Sequence, residues 1–459
     1  MTTIKLDPGA ALLLDALHGA GHGAYAVGGC VRDSLLGLDP HDWDLCTSAR
    51  PEQVMALFGE EKCIPTGLQH GTVTVKQGGR LYETTTFRTE GAYSDGRHPD
   101  AVCFVPDVRE DLARRDFTIN AMAYSAEEGL IDPFGGQDDL AAHLVRAVGE
   151  PERRFEEDAL RILRLYRFAA RFGFAIDPAT GAAARALGPH LDCVSAERIQ
   201  EELLKLLAAP RPGSYLEPAV LAVVLPELEP EKQPERFAEL CRTIDRLEPT
   251  AENVPARLAA LLCPLGEAGA RKALRKLKCS NALTDEVTAL EREAGGGAGS
   301  FLLPRSRDRR AGSSSEDRPL GWDPAAAGSR AGDGMARFAS EEEAPGTPGS
   351  EMTLTAKRLL GRYELPTVQR LTALCSARHP EQAGAFAALR AEAERLIAEN
   401  ACCRVSQLAV NGSDLMAAGV RPGPGLRQVL NALLEAVIIG QTPNEKDALL
   451  AAAAQFSAS

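Results

Sequence analysis

The sequence predicts an α+β protein, with a compact head of alternating short strands and short helices and a long all-helical remainder. Three observations carry this reading. Over residues 8–150, short apolar runs are punctuated by glycine-containing turns, the rhythm of strands linked by short helices. From about residue 151 the apolar spacing changes to that of helices. The composition, 44% hydrophobic and 25% charged, permits a buried core over most of the 459 residues, and a chain of this length divides into several modules, two to four.

In the head, AYAVGG, WDLCTS, GTVTVK, RLYETTTF and AVCFV read as strands, while VRDSLLG, PEQVMALF, TINAMAY and QDDLAAHL read as short helices. Helical spacing then runs through RFEEDALRILRLYRFAARFGF, SAERIQEELLKLLAA and PERFAELCRTIDRL. Residues 295–352 carry no periodicity and are rich in Gly, Ser, Pro, Arg and acids, so they read as a disordered, low-complexity insert. Helical periodicity resumes at about 353 and continues through AGAFAALRAEAERLIAEN and LRQVLNALLEAVIIG. The predicted division is a head over 1–150, a neck over 151–225, a body over 226–294, the insert over 295–352, and the body remainder with a tail over 353–459.

Charge and composition narrow the function classes. A net charge of −13 argues, taken alone, against a polyanionic partner. Phosphate attraction acts only within about 10 Å at ordinary salt, so a local basic track suffices for an RNA enzyme. The 11 cysteines are scattered, with only Cys402 and Cys403 adjacent, which suggests neither a zinc ribbon nor a disulfide framework. No apolar run approaches the length of a membrane span, and the N-terminus lacks a basic region followed by a cleavage site; both point to the cytoplasm and to no membrane partner. The dipeptide His41-Asp42 raises a phosphohydrolase of the HD type, but the 8 histidines are widely spaced and no second His-Asp set appears.

The strongest chemical constellation begins at Gly28-Gly29-Cys30-Val31-Arg32-Asp33, directly after a candidate strand. Paired glycines let backbone N–H groups approach a phosphate, a helix starting there adds its dipole, and Arg32 could clamp the same triphosphate. A Gly-Gly pair is as often a plain tight turn, and its weight here comes from Asp42-Trp43-Asp44 a little further on. Side chains alternate along a strand, so Asp42 and Asp44 point the same way. Two such carboxylates favour a cation, and hard oxygen ligands suit Mg²⁺. Glu83, on another predicted strand, could complete the site; three acids would support two metals, one at the attacking 3′-hydroxyl and one at the leaving pyrophosphate. An isolated DxD is more often a solvated loop edge.

Two further segments follow. Arg114-Arg115-Asp116-Phe117-Thr118-Ile119-Asn120 places a basic pair before a short predicted helix. Arginine forks match phosphate and ribose, while Asp116 and Asn120 could orient sugar or base; helix capping with surface ion pairs is the equal alternative. In Glu157-Asp158-Ala159-Leu160-Arg161, Asp158 and Arg161 would share a helix face, and Arg161, Arg164, Arg167 and Arg171 would fall within about a third of the circumference. An aspartate accepting from an exocyclic amine beside an arginine donating to the ring nitrogen reads C or A and rejects G and U. A solvated, salt-bridged helix is the default alternative.

Together these residues resemble the tRNA nucleotidyltransferase and poly(A) polymerase family, class II branch, within the DNA polymerase β-like nucleotidyltransferase superfamily, over roughly residues 20–225. Residues 408–447 resemble the tRNA-elbow-binding tail of bacterial CCA-adding enzymes that lack an HD domain. The resemblance implies a polymerase β-like head with a mixed sheet and helical neck, body and tail. It implies a triphosphate site at Gly28, Gly29 and Arg32, Mg²⁺ on Asp42 and Asp44, a nucleotide contact at Arg115, and a protein template at Asp158, Arg161, Arg164 and Arg167. GGQDDL at 135–140 and SAERIQEELLKLL fit the neck elements of the family. The implied partners are tRNA, CTP and ATP, with no obligate protein partner, and the implied reaction adds C, C and A without a nucleic-acid template. A loop at Thr89–Pro99, with Arg97, is expected to help switch from CTP to ATP. Residues 295–352 depart from the pattern, since the family places body helices there. A poly(A) polymerase or an A-adding or CC-adding partial enzyme shares the head motifs, and a non-catalytic RNA-binding protein remains the alternative from another class.

Overall fold

The computed structural model describes residues 3–91, 102–295 and 348–456, and the chain divides into two units, Met1–Gly295 and Gly296–Ser459. The fold is α+β. In the first unit the strands are β1 (Ala24–Val27), β2 (Leu45–Thr47), β3 (Cys63–Gly67), β4 (Thr72–Gln77), β5 (Arg80–Thr86), β6 (Arg88–Glu90), β7 (Val102–Phe104), β8 (Ala123–Ser125), β9 (Gly129–Ile131), β10 (Leu144–Val145) and β11 (Ala175–Ile176). Seven of them form one mixed sheet in the order β3-β4-β5-β2-β1-β8-β9. Only the β2–β5 pairing in this sheet is parallel, with Leu45 opposite Thr84. The turn between β4 and β5 is Gly78-Gly79, both at positive φ (58° and 79°), the backbone that a two-residue hairpin demands.

Helix α1 (Pro8–Gly19) is capped by Asp7, whose carboxylate accepts from Gly9 N at 2.9 Å and Ala10 N at 3.2 Å. Tyr82 of β5 donates its hydroxyl to the same carboxylate, which seats α1 on one face of the sheet. Helix α2 (Gly29–Leu35) follows β1, and α3 (Pro51–Phe58) packs beside β4. On the other face, Tyr25, Val27, Cys46, Phe87, Val108 and Leu112 form a buried cluster. Val108 and Leu112 come from α4 (Val108–Ala113), which is followed by α5 (Gly136–Ala141). That cluster leaves Glu83, further along β5 on the same face, exposed.

Three expectations fail locally. TINAMAY is not a helix: Thr118–Asn120 makes one 3₁₀ turn and Ala123–Ser125 is β8, between β1 and β9. Residues 118–125 are all buried, so the pattern held no alternation to separate strand from helix. The AVCFV strand lies outside the main sheet, where among the described residues β7 pairs with β6 alone. The neck helix is also broken, into α6 (Pro151–Glu157) and α7 (Leu160–Phe172). Asp158 is extended there (φ −149°, ψ 103°), and its side chain accepts from Leu160 N at 3.1 Å. Aspartate competes for backbone donors in this way and starts a helix more readily than it continues one.

The first unit continues through α8 (Pro178–Ala186), α9 (Ala196–Leu207), α10 (Pro218–Val224), α11 (Pro234–Arg246), α12 (Val254–Leu262), α13 (Gly266–Lys276) and α14 (Asn281–Gly295). Arg257 of α12 is fully buried and donates to Leu207 O and Leu247 O, both at 2.6 Å, and to Ala209 O. It thereby serves carbonyls at the C-terminal ends of α9 and α11, which have no partner within their helices. The second unit holds α15 (Pro348–Arg362), α16 (Leu365–Arg378), α17 (Ala383–Ala398), α18 (Gly412–Ala417), α19 (Pro424–Ile438) and α20 (Lys446–Phe456). Leu408, Val410, Leu415, Val429, Leu433 and Leu449 pack into a core there, so the tail-like segment 408–447 builds a small hydrophobic cluster.

Of the insert expected at 295–352, residues 296–347 lie outside the described residues, Gly295 closes α14, and 348–352 belong to α15. Of the loop expected at Thr89–Pro99, residues 92–99 lie outside them too. Among the described residues, no helix is long and apolar enough to cross a membrane.

Arg257→Met should lower stability by about 3 kcal/mol, because three buried carbonyls lose their donor together. The check is the urea midpoint at unchanged m-value; an unaltered midpoint would show that water replaces the guanidinium.

Candidate active site

The glycine turn is set by its backbone. Gly28 has φ 75° and ψ −121°, a region that side chains rarely enter, and its N–H donates to Met122 O at 3.1 Å. A Cβ there would lie 2.8 Å from Nη1 of Arg115. The bare backbone thus admits a guanidinium, and Gly29 opens α2. Arg115 leans on Asp111 at 3.4 Å, and its buried Nε has no hydrogen-bond partner.

Asp42 and Asp44 lie just before β2 rather than within it. The alternation expected of a strand still holds, since Asp42 and Asp44 are exposed while Trp43 and Leu45 are buried. Asp44 O accepts from Val27 N at 3.0 Å, which pins the second aspartate one residue from the glycine turn. Extending the Leu45–Thr84 register back by one residue sets Asp44 opposite Glu83 on the same face. Electrostatics agree with this placement. The Asp44 carboxyl is pushed above its ordinary value, first by desolvation and then by the charges of Glu83 and Asp42, with Arg115 opposing.

Asp42, Asp44 and Glu83, the three acids expected from the sequence, are close enough for Glu83 and Asp42 to act on the charge of Asp44. Among the described residues, no group of three or more His, Cys, Asp or Glu side chains converges as a metal-ligand set. Two aspartates fit a hard cation that keeps several waters and shares the rest of its positions with phosphates. The mutual repulsion at Asp44 is what a divalent ion would relieve.

Arg32 does not stand free to clamp a triphosphate. It is buried, donates to Asp33 at 2.8 Å and to Asn120, and stacks on Phe168 and Phe172 at 5.2 and 4.8 Å. Burial pulls its guanidinium below the ordinary value and Asp33 opposes this. Asp116 and Asn120 are likewise inside the protein. Asp116 accepts from Arg164 at 2.8 and 2.6 Å, from Asn120 at 3.0 Å and from its neighbour Phe117 N at 2.8 Å. Burial works against its charge, but Arg164 and Asn120 outweigh it and hold the carboxyl well below the usual range. These two residues orient arginines rather than offer open contacts to sugar or base.

The arginine stripe of the neck is present, and each member has an acid. Arg161 pairs with Glu157 at 2.8 Å, Arg164 with Asp116, Arg167 with Glu202 at 2.6 Å, and Arg171 with Asp33 at 3.2 Å. Asp158 and Arg161 do not share a helix face, because Asp158 sits in the break. Its second oxygen accepts from Arg198 of α9 at 2.8 Å, while Arg161 also donates to the carbonyls of Arg154 and Arg114. Asp111, Glu157, Arg198 and Glu202 were missed in the sequence. A signal existed for Glu202, a carboxylate on the apolar stripe Ile199, Leu203, Leu206 of α9, where only a partner makes burial tolerable.

Known proteins resemble this chain in sequence and fold. Family models match residues 24–146 (poly A polymerase head domain), 173–232 (probable RNA and SrmB-binding site of polymerase A) and 370–453 (tRNA nucleotidyltransferase domain 2). The CCA-adding enzyme of Limosilactobacillus fermentum is 34% identical over 453 residues, which cover 97% of this chain and 96% of that enzyme. The chain belongs to the CCA-adding enzyme family. The CCA-adding enzyme of Geobacillus stearothermophilus is also 34% identical, over 443 residues covering 96% and 94% of the two chains. Among solved structures, the Bacillus stearothermophilus CCA-adding enzyme in complex with CTP aligns at TM-score 0.73 and 31% identity, covering 98% of each chain.

Because its charged form is favoured in the folded state, Asp116 adds stability above the ordinary carboxylate range, and this is lost as the pH falls below about 4. Asp116→Asn should therefore cost about 2 kcal/mol near neutral pH. The difference from the unaltered protein should shrink toward about pH 3, read as paired urea midpoints.

Proposed function

We infer that this chain is a tRNA nucleotidyltransferase that adds C, C and A to the tRNA 3′ end from CTP and ATP, releases pyrophosphate, and uses Mg²⁺ on Asp42 and Asp44. The observation that carries the reading is the Asp42–Asp44 pair, facing one way and tied by a backbone hydrogen bond beside the Gly28 turn. Similarity to CCA-adding enzymes over nearly the whole chain, including the segment 370–453, favours full CCA addition over a poly(A) polymerase or a partial enzyme. It equally favours an enzyme over a pure RNA binder, which gains nothing from clustered acids beside RNA.

When bound, Mg²⁺ supplies positive charge against the triphosphate and lowers the pKa of the attacking hydroxyl. The side chains do the rest. Arg115, over the glycine turn with its Nε unpaired, is suited to a phosphate oxygen. Asp158 accepts from the exocyclic amine of C or A, and Arg161 donates to the adjacent ring nitrogen. Three of the guanidinium's N–H groups are engaged by Glu157, Arg154 O and Arg114 O, which leaves donors for the base. G and U present reversed groups there and leave them unpaired. Arg164 and Arg167, tied to Asp116 and Glu202, keep α7 in place beneath this pair. The division into head, neck, body and tail assigns base choice to the neck and the grip on tRNA to the tail.

The test supplies tRNA transcripts ending before the terminus, or after C or CC, with each nucleoside triphosphate separately. C then A, stopping at three additions, supports the reading; unlimited A favours a poly(A) polymerase, and no incorporation favours a binder. Asp42→Ala should abolish incorporation in every lane, whereas Asp158→Ala should chiefly damage base choice. Retained turnover in Asp42→Ala would remove that residue from the metal site. Because the charge on Asp44 is disfavoured in the folded state, stability falls as the pH rises through its elevated value. Asp44→Asn should accordingly melt higher than the unaltered protein in chelator, and Mg²⁺ should raise the melting temperature of the unaltered protein more than that of the variant.

A further inference from the structure

The structure assigns Arg198 a role as a positioning residue for base choice, acting through Asp158. This rests on the reading of Asp158 as the group that accepts from the amine of C or A.

Asp158 is held at two different oxygens. Oδ1 accepts from Leu160 N at 3.1 Å and caps α7, and Oδ2 accepts from Nη2 of Arg198 at 2.8 Å. The cap alone leaves the carboxylate plane free to turn, because the terminal torsion of an aspartate is broad and two-fold. A second anchor on the other oxygen fixes the plane, and with it the bearing of the lone pairs left for a ligand. Arg161, the other half of the base-reading pair, is held separately by Glu157 and makes no bond to Asp158 that could do this work.

The anchor comes from α9, and from a part of it that is itself well placed. Arg198 and Glu202 lie four apart and share a face; Glu202 is buried and grips Arg167 at 2.6 Å and Arg164 at 3.8 Å. One helix thus offers a cation to Asp158 and an acid to the arginines beyond. Apolar packing already joins the two helices, with Ile199, Leu203 and Leu206 of α9 and Leu163 and Tyr166 of α7 all buried. The Arg198–Asp158 side chains remain 21% and 16% exposed, and a partly solvated pair of this kind contributes little to stability. Its effect lies in orientation. A base pocket discriminates only as far as its polar groups are held in place, so a carboxylate released by Arg198 accepts less selectively.

The experiment measures kcat/KM for CTP against UTP on a transcript ending before the terminus, and for ATP against GTP on one ending in CC, with the full-length enzyme. The variants are Arg198→Gln, Arg198→Lys, Asp158→Asn and the Arg198→Gln/Asp158→Asn double variant. Arg198→Gln should lower both ratios roughly tenfold, mainly through a raised KM for CTP and ATP with kcat largely kept. Arg198→Lys should restore part of the loss, and Arg198→Gln should add no further loss in the Asp158→Asn background. Unchanged ratios in Arg198→Gln, or an equal further loss in the double variant, overturn the assignment. Should Arg198→Gln not fold, Arg198→Lys decides: a ratio between those of the unaltered enzyme and Asp158→Asn supports the role, and the unaltered ratio overturns it. Absence of incorporation by the unaltered enzyme on both transcripts would sink the functional reading instead, an outcome distinct from any loss of selectivity.

Discussion

The bidentate contact between Asp116 and Arg164 is the constraint that holds α7 against the sheet-bearing part of the first unit. Asp116 belongs to the segment after α4, Arg164 to the middle of α7, and 48 residues separate them in sequence. The same carboxylate accepts from Asn120, and Asn120 in turn accepts from Arg32 of α2. A continuous, largely buried polar chain therefore runs from α2, the helix that follows the glycine turn, to α7. Networks of this kind are costly when partly satisfied and rigid when complete. Its members are mutually satisfied here, so α2 and α7 hold a fixed separation.

The same economy governs charge. An arc of four arginines on one helix suggests a strongly positive surface, yet each is matched by an acid drawn from a different element: Glu157, Asp116, Glu202 and Asp33. Such neutralisation leaves the stripe little net attraction, so what it offers a ligand is the direction of its remaining donors. Arg115 stands apart from the stripe, lying where the Gly28 backbone makes room for its guanidinium.

Much of this was legible in the sequence, for reasons that differ between residues. Asp42 and Asp44 were readable because a spacing of two fixes relative direction even where the backbone is only nearly a strand. The glycine turn was readable as a close approach, although what approaches it inside the protein is Arg115. The break at Asp158 was not: apolar periodicity continues across it, and the residue that interrupts the helix does so through a hydrogen bond of its own side chain. Residues 118–125 were misread because burial on all sides erases the period that separates helix from strand. For Arg32, the sequence shows an arginine near a glycine turn but not the two aromatic rings, Phe168 and Phe172, that stack against it. Arg198 lay in an ordinary amphipathic helix, and its partner could be named only once two segments 40 residues apart had been brought together.

The parallel pairing of β2 with β5 has a consequence for how the head is made. Strands running the same way cannot be joined by a tight turn, and the intervening chain here supplies α3 and the strands β3 and β4. A nascent chain that has emerged through β4 already contains both aspartates, yet it lacks the strand against which they are registered. The acidic face can form only after a long loop has closed, which places its assembly late among the folding events of the head.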